Sequence, residues 1–211
     1  DIPTPDSQPR ATALAADGNV YFGEFAGGKI GRVTPGGVVT EFQIPTPASG
    51  PRALAAGPDG NIWFSETEIS RIGRITPNGA ITEFKDGITP GSKPLSIVVR
   101  DGALWFSEAA GSRVGRITMD GKVTEFPIPS HDSQPRAMVT HPDGSIWFVE
   151  TSTNALGRID RDGSTVLCIT GNGLKTLEAM TGHVGQTREI RPNLREFEAL
   201  LQHDKPQLTH A

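Results

Sequence analysis

The chain has little of what several protein classes require. Its single cysteine, Cys168, excludes an intrachain disulfide framework and a cysteine-rich zinc site. No stretch approaches the ~20 consecutive apolar residues of a membrane-spanning helix, so no membrane partner is expected. With 20 Lys and Arg against 24 Asp and Glu, the chain lacks the basic excess typical of nucleic-acid binding. No signal peptide is recognisable and the first residue is Asp1, so a cytoplasmic location and export with removal of a signal both stay open.

Glycine and proline are abundant, at 25 and 17 of 211 residues, and they recur with a fixed period. The endings V-V-T-E-F, A-I-T-E-F and K-V-T-E-F close three successive segments of 42 residues. A repeat of this length is typical of propeller blades. The sequence therefore predicts four copies, which span residues 1–42, 43–84, 85–126 and 127–168, and a separate tail over residues 169–211.

Each copy predicts four short antiparallel strands. In the second copy, R-A-L-A-A-G-P-D-G-N-I-W-F-S-E indicates two strands around a turn, and R-I-G-R-I-T-P-N-G-A-I-T-E-F indicates a hairpin around N-G. The linker I-P-T-P-A-S-G-P is a loop, because proline has no N–H to donate to a ladder. We therefore predict an all-β fold, a β-propeller of four blades with four antiparallel strands each, followed by a short C-terminal strand and helix tail.

Closure of the ring leaves two alternatives open. Four blades are the low end of the propeller range, so the chain is either a four-bladed monomer or a homodimer. In the homodimer, two chains join through their blade edges and place eight blades in one ring. The tail then caps an exposed blade face or exchanges between the two chains.

One end of the blades is predicted to carry charged residues. In an up-and-down blade, the start of the first strand and the end of the second strand lie at the same end, and the first strand lines the central channel. Arginine follows the proline that opens three of the first strands, Leu95 takes this position in the third copy, and glutamate ends every second strand. The residues predicted to line this mouth of the channel are Arg10, Arg52, Arg136, Glu24, Glu66, Glu108 and Glu150.

Two interpretations of the four glutamates are open. Their carboxylate oxygens could bind a divalent metal ion. Alternatively, they form a ring of ion pairs with the three arginines that holds the blades together. As a binding module, the chain is expected to hold at this mouth a small polar or anionic ligand or a loop of a partner. His131 lies in a loop at the same end and is a weak candidate for a catalytic residue, against the alternative of a solvated surface histidine.

Other recurring residues are interpreted as structural. Three tryptophans and one tyrosine stand at the same place in the second strands and are predicted to form the core between blades: Tyr21, Trp63, Trp105 and Trp147. The arginines of the G-R motif in the third strands are predicted to lie between blades: Arg32, Arg74, Arg116 and Arg158.

Residues 1–163 resemble the virginiamycin B lyase (streptogramin lyase) family through G-P-R-A-L-A-A-G-P-D-G-N-I-W-F-S-E, R-I-G-R-I-T-P-N-G-A-I-T-E-F and Q-I-P-T-P-A-S-G-P. The resemblance implies seven blades and an elimination that linearises cyclic streptogramin B antibiotics at their ester linkage, with a divalent metal, usually magnesium. It also implies catalytic histidines after the proline that opens a first strand, and a catalytic acidic residue at the end of a second strand. The acidic position matches Glu24, Glu66, Glu108 and Glu150, whereas the histidine position holds Arg10, Arg52, Leu95 and Arg136.

This departure determines the expected function. Elimination needs a base, and an arginine that is always protonated is a poor one. We therefore expect a binding or scaffold module that lacks the catalytic histidines of the family. The alternatives are a magnesium-dependent lyase acting on streptogramin B-type antibiotics, and a fusion without an activity of its own.

The tail resembles a different family. Residues 165–201 are similar to the C-terminal end of threonine synthase, chiefly through V-L-C-I-T-G-N-G-L-K-T-L-E-A. The resemblance implies a family that uses pyridoxal phosphate. The parts of that family that hold the Schiff-base lysine and the cofactor phosphate have no counterpart here, so no pyridoxal phosphate is expected.

Overall fold

The computed structural model describes residues 1–161 and 163–168, and side chains as far as Thr165. All regular secondary structure in these residues is β. The predicted tail lies outside the described residues. No helix in the described part has the length and apolar character that crossing a membrane needs.

Sixteen strands are described, four in each copy of the repeat. The first blade contains β1 (Pro9–Leu14), β2 (Val20–Glu24), β3 (Lys29–Val33) and β4 (Val39–Gln43). The second contains β5 (Pro51–Ala56), β6 (Ile62–Glu66), β7 (Arg71–Ile75) and β8 (Ile81–Phe84). The third contains β9 (Pro94–Arg100), β10 (Ala103–Glu108), β11 (Arg113–Ile117) and β12 (Val123–Pro127). The fourth contains β13 (Pro135–Thr140), β14 (Ile146–Glu150), β15 (Ala155–Ile159) and β16 (Thr165–Cys168).

Each blade is one antiparallel sheet whose strands follow in chain order. The first strands of successive blades contact one another in the order β1, β5, β9 and β13, so they form the inner edge of the arrangement. The predicted propeller of four four-stranded blades is confirmed. The four blades form an open arc, and the described residues do not close it into a ring. The eight-bladed ring made by two chains stays a prediction.

The apolar core lies between neighbouring blades. Tyr21 packs against Leu54 and Phe64 of the second blade, and the equivalent Trp63 and Trp105 pack against the third and fourth blades. Their predicted place between blades is confirmed. Trp147 is only half-buried, because no described blade lies against its face of the last sheet.

Two of the four third-strand arginines, Arg32 and Arg74, join blades through backbone carbonyl groups. Arg32 NH1 donates to the Pro77 carbonyl oxygen at 2.8 Å, and Arg74 NH1 donates to the Met119 carbonyl oxygen at 3.1 Å. In both cases the acceptor lies in the turn between the third and fourth strands of the next blade. The prediction that these two arginines lie between blades is confirmed.

A glycine in each third strand allows the sheet to pack closely. A Cβ atom at Gly31, Gly73, Gly115 or Gly157 would overlap the ring of the phenylalanine that pairs with it from the second strand. The ring therefore lies flat on the backbone of the third strand, at a place where only glycine leaves room.

We predict that Gly115→Ala destabilises the protein strongly, because the new methyl group and the Phe106 ring cannot occupy the same space. The expected loss is about 1–3 kcal/mol or more in the free energy of unfolding, measured by denaturant titration. Gly36→Ala is the matched control, since its Cβ would lie 3.8 Å from Thr34 Oγ1 in an open turn. Its expected effect is within about 0.5 kcal/mol. Equal effects of the two substitutions would contradict the packing argument.

Candidate functional site

The strand register brings the two predicted sets of residues to the same end of the blades. Pro9 pairs with Glu24, Pro51 with Glu66, Pro94 with Glu108, and Pro135 with Glu150. Each first strand therefore starts beside the glutamate that ends the second strand. The backbone juxtaposition predicted from the repeat is present in all four blades.

The side chains of these arginines and glutamates nevertheless do not pair with each other. Arginine stands one residue after the proline that pairs with glutamate, and in these blades the pairing of the first and second strands is interrupted by a bulge at the arginine. Within residues 1–161 and 163–168, no salt bridge joins Arg10, Arg52 or Arg136 to any of the four glutamates. The ring of ion pairs between these two sets is not formed there.

The arginines lie towards solvent at the start of the inner strands. Arg10 is exposed and its guanidinium carbon lies 4.8 Å from the centre of the Phe25 ring, in a cation–π contact. Arg136 is exposed and its Nε donates to Thr151 Oγ1 at 3.3 Å, while Arg52 is half-buried. Leu95 holds the same position between Arg52 and Arg136. We call these four residues the basic inner edge.

The glutamates lie inside the blades instead. All four side chains are completely buried, and none of the oxygens of Glu24 and Glu66 has a hydrogen-bond partner in the described part of the chain. Glu108 accepts a hydrogen bond from Ser92 Oγ at 3.1 Å, and Glu150 accepts one from Thr153 Oγ1 at 3.0 Å. A buried carboxylate with so few donors is unfavourable, so the neutral acid is the stable form.

The pKa values of all four glutamates are raised accordingly. Burial, and then the neighbouring carboxyl group of Glu83, raise the pKa of Glu66 to about 9. Burial and the neighbouring Glu125 raise the pKa of Glu108 to about 8. Burial also raises the pKa of Glu24 and of Glu150. At neutral pH Glu66 and Glu108 are therefore largely protonated and do not balance the positive charge of the basic inner edge.

A second group of interacting residues, present in the first three blades, was not predicted from the sequence. In the first blade, Thr4 Oγ1 donates to Glu41 Oε2 at 2.8 Å, and Lys29 Nζ contacts both Thr4 Oγ1 and Glu41 Oε2 at 2.6 Å. The contact ties the linker to the outer strands of the blade, and we call it the linker clamp. Equivalent clamps join Thr46, Glu83 and Arg71, and Thr89, Glu125 and Arg113. The signal was present in the repeat as the threonine of the linker and the glutamate of T-E-F at the same period.

The fourth blade lacks the clamp. Ala155 and Leu167 stand where the other blades have a basic residue and a glutamate. With no fourth-strand glutamate to bind, Ser130 of the linker interacts with Glu150 and acts to lower its pKa, against the larger effect of burial. The repeat is therefore chemically different at its last copy.

The structure does not bring metal ligands together in its described part. No group of three or more His, Cys, Asp or Glu side chains there is placed to hold a metal ion. Each of the four glutamates is enclosed in its own blade, so as placed they do not offer magnesium the converging anionic oxygens that it needs. His131 is exposed in the linker before β13, and His141 lies at the opposite end, 2.9 Å from Asp143 Oδ1.

Comparison with known proteins gives a consistent result. The sequence profile of the virginiamycin B lyase family matches residues 1–180. A selenomethionine-substituted virginiamycin B lyase from Staphylococcus aureus is 41% identical, with a TM-score of 0.76, and the match covers 79% of this chain and 57% of that one. A streptogramin B lyase is 33% identical with a TM-score of 0.78, over 82% of this chain and 58% of that one.

A third solved structure is a catalytically inactive histidine-to-alanine variant of the S. aureus virginiamycin B lyase with quinupristin. It is 38% identical to this chain with a TM-score of 0.78, over 82% of this chain and 59% of that one. The chain thus spans between 57% and 59% of the length of these relatives. A comparison with curated protein sequences found no match.

The raised pKa values predict that stability falls as the pH rises from about 5 to about 9. Over this interval the folded chain keeps protons on Glu66 and Glu108 that the unfolded chain releases near the ordinary glutamate pKa of 4.5. The folded state binds more protons, so the free energy of unfolding decreases with increasing pH. Denaturant titrations at a series of pH values measure this slope.

Glu66→Gln tests the assignment, because the amide keeps the shape of the acid and has no proton to lose. We expect a shallower slope, by up to about 1.4 kcal/mol per pH unit, and a variant that is more stable than the parent at the alkaline end. Glu68→Gln is the matched control, since Glu68 is exposed two residues away. An unchanged slope in Glu66→Gln would show that Glu66 is ionised in the folded chain.

Proposed function

The chain belongs to the virginiamycin B lyase family, and we propose that its four described blades bind an anionic ligand at the basic inner edge and do not open a cyclic ester. This makes the chain a binding module built on the propeller of the family. The proposal concerns residues 1–168, where the side chains that carry it are described.

The observation that carries the proposal is the identity of the residue after each strand-opening proline. These residues are Arg10, Arg52, Leu95 and Arg136. An elimination begins with removal of a proton beside a carbonyl group, and the base must be able to accept a proton at working pH. Arginine stays protonated and leucine has no titratable group. None of the four positions can therefore act as the base.

Electrostatics supports binding of an anion. The four glutamates that pair with the strand-opening prolines are buried and, within the described residues, form no salt bridge with the arginines. Burial raises the pKa of Glu66 to about 9 and that of Glu108 to about 8. Arg10 and Arg136 are exposed at the ends of inner strands and present guanidinium groups that suit carboxylate or phosphate oxygens. Leu95, in the inner strand between those of Arg52 and Arg136, adds an apolar surface to this edge.

Lyase activity on a cyclic streptogramin B-type ester is the second candidate. It is favoured by the 33–41% identity to virginiamycin B and streptogramin B lyases. One of these is described as catalytically inactive when a histidine is replaced by alanine. The two candidates differ in whether the ester opens, which is directly measurable.

We predict that the full chain leaves quinupristin intact in the presence of magnesium. Elimination does not change the mass of the molecule, so ring opening is followed by chromatographic retention and NMR spectra. A virginiamycin B lyase under the same conditions is the positive control. Ring opening by the chain, abolished by a chelator, would overturn the proposal in favour of the lyase.

We further predict that citrate, whose three carboxylates can meet several arginines, binds the full chain measurably by calorimetry and less tightly at higher salt. Arg10→Gln and Arg136→Gln should each weaken binding about tenfold, because each removes a charge-assisted hydrogen bond. Lys122→Gln is the control, since this exposed lysine lies in a turn at the other end of the third blade. Citrate binding that is insensitive to both arginine variants contradicts the site. Absence of both binding and ring opening would favour a fusion without an activity of its own.

A further inference from the structure

A cavity of about 270 Å³ lies between the third and fourth blades. Its main lining residues are Arg100, Asp101, Trp105, Arg116, Phe126 and Arg161. Arg100 ends β9 and Asp101 follows it in the connection to β10, whereas the basic inner edge lies at the start of β9. The cavity is therefore at the opposite end of the blades and is distinct from the site discussed above.

The second blade shows what normally fills this place. Trp63 Nε1 donates to Asp59 Oδ1 at 3.1 Å, and Arg74 NH1 lies 3.9 Å from Asp59 Oδ2. Asp59 stands in the connection of residues 57–61 between β5 and β6. One carboxylate thus receives an indole N–H and faces a guanidinium group.

The third blade has no such carboxylate, because its connection is shorter. Only Asp101 and Gly102 join β9 to β10. Trp105 Nε1, the counterpart of Trp63 Nε1, is buried and has no hydrogen-bond acceptor in the described part of the chain. A buried N–H without an acceptor is unfavourable, and a ligand oxygen that accepts from it would remove that cost.

Arg100 joins the third blade to the fourth, as Arg74 joins the second blade to the third. Its guanidinium carbon lies 3.9 Å from the centre of the Trp105 ring. Its NH1 donates to the carbonyl oxygens of Gly144, Ile159 and Asp160 in the fourth blade, at 3.2 to 3.3 Å. The junction of the two blades is therefore secured without the arginine of the third strand.

Arg116 is the third-strand arginine of this blade, and it does not join the described parts of the third and fourth blades. It lines the cavity and makes no hydrogen bond or ion pair with the rest of residues 1–161 and 163–168. Arg161 stands at the exposed rim. The only carboxylate among the main lining residues belongs to Asp101, whose oxygens are 3.9 Å from Arg100 Nε and 3.7 Å from Arg161 NH2. Both are long ion pairs, and three guanidinium groups line the cavity against this one carboxylate.

We propose that this cavity binds an oxyanion, the phosphate or carboxylate group of a small molecule, in the place that the Asp59 carboxylate takes in the second blade. Arg116 supplies the charge, Trp105 Nε1 supplies a directed donor, and Arg161 closes the rim. Arg100 is a positioning residue, because it fixes the Trp105 ring and the fourth blade around the ligand. The proposal is independent of the function assigned to the basic inner edge.

The test uses the indole N–H signals of the ¹⁵N-labelled full chain, titrated with inorganic phosphate and, separately, with acetate. Trp105→Phe identifies the Trp105 signal by its loss. We expect that signal to move saturably in the millimolar range, while the Trp63 signal, already bonded to Asp59, stays in place. The tighter of the two anions identifies the ligand class as phosphate or carboxylate.

Arg116→Gln should weaken binding about tenfold or more. Arg161→Gln should weaken it less, and as an exposed substitution it keeps the test valid if Arg116→Gln fails to fold. Arg74→Gln, the same change one blade earlier, should leave anion binding unaltered. An unmoved Trp105 signal, equal movement of both indole signals, or indifference to both the Arg116 and the Arg161 substitutions would each overturn the proposal.

Discussion

The contact between neighbouring blades is the interaction on which the rest of the structure depends. A blade of four short strands has two apolar faces and cannot bury them by itself, so stability comes from stacking one copy on the next. Two features of the repeat make that stacking close. The second-strand phenylalanine lies on a third-strand glycine, and the aromatic residue one position earlier packs into the next blade. Because every copy obeys this arrangement, equivalent residues arrive at equivalent ends of successive sheets.

Burial between blades also determines the charge of the surface. The glutamate that ends each second strand is drawn inside with the phenylalanine two residues before it, and burial raises its pKa. The arginine that follows the strand-opening proline points the other way and stays in contact with water. Glutamate and arginine thus lie at the same end of each of these pairs of strands, and their side chains form no ion pair in the described part of the chain. The linker clamps anchor the linkers that lead into the first strands, and so they help to fix where these strands start.

Chemistry that is particular to this chain arises where the copies differ. Leu95 interrupts the row of arginines, and Ala155 and Leu167 remove the clamp from the last blade. The short connection after β9 removes a carboxylate, and Arg100 appears beside the gap. In a repeat protein the shared residues maintain packing, so a departure that leaves buried donors without acceptors is the place to look for a ligand. The cavity between the third and fourth blades is such a place.

The 42-residue period is enough to predict the all-β class, the four blades and the strand order. It also predicts that Arg10, near the start of the first strand, and Glu24, at the end of the second strand, lie at the same end of the blade. These features follow from local patterns that repeat, and each copy supports the interpretation of the others. Which of these side chains are buried and which are exposed follows from the tertiary structure and not from the period. Glutamate and arginine look like an ion pair in the sequence, yet in the folded chain the four glutamates are buried while Arg10 and Arg136 are exposed. Likewise, the shortened turn of the third blade is visible in the sequence, but the unpaired Trp105 Nε1 and the unused Arg116 depend on which blade packs against it. Burial is a property of the assembled sheets, so the protonation of Glu66 and the charge of the surface could be known only from them.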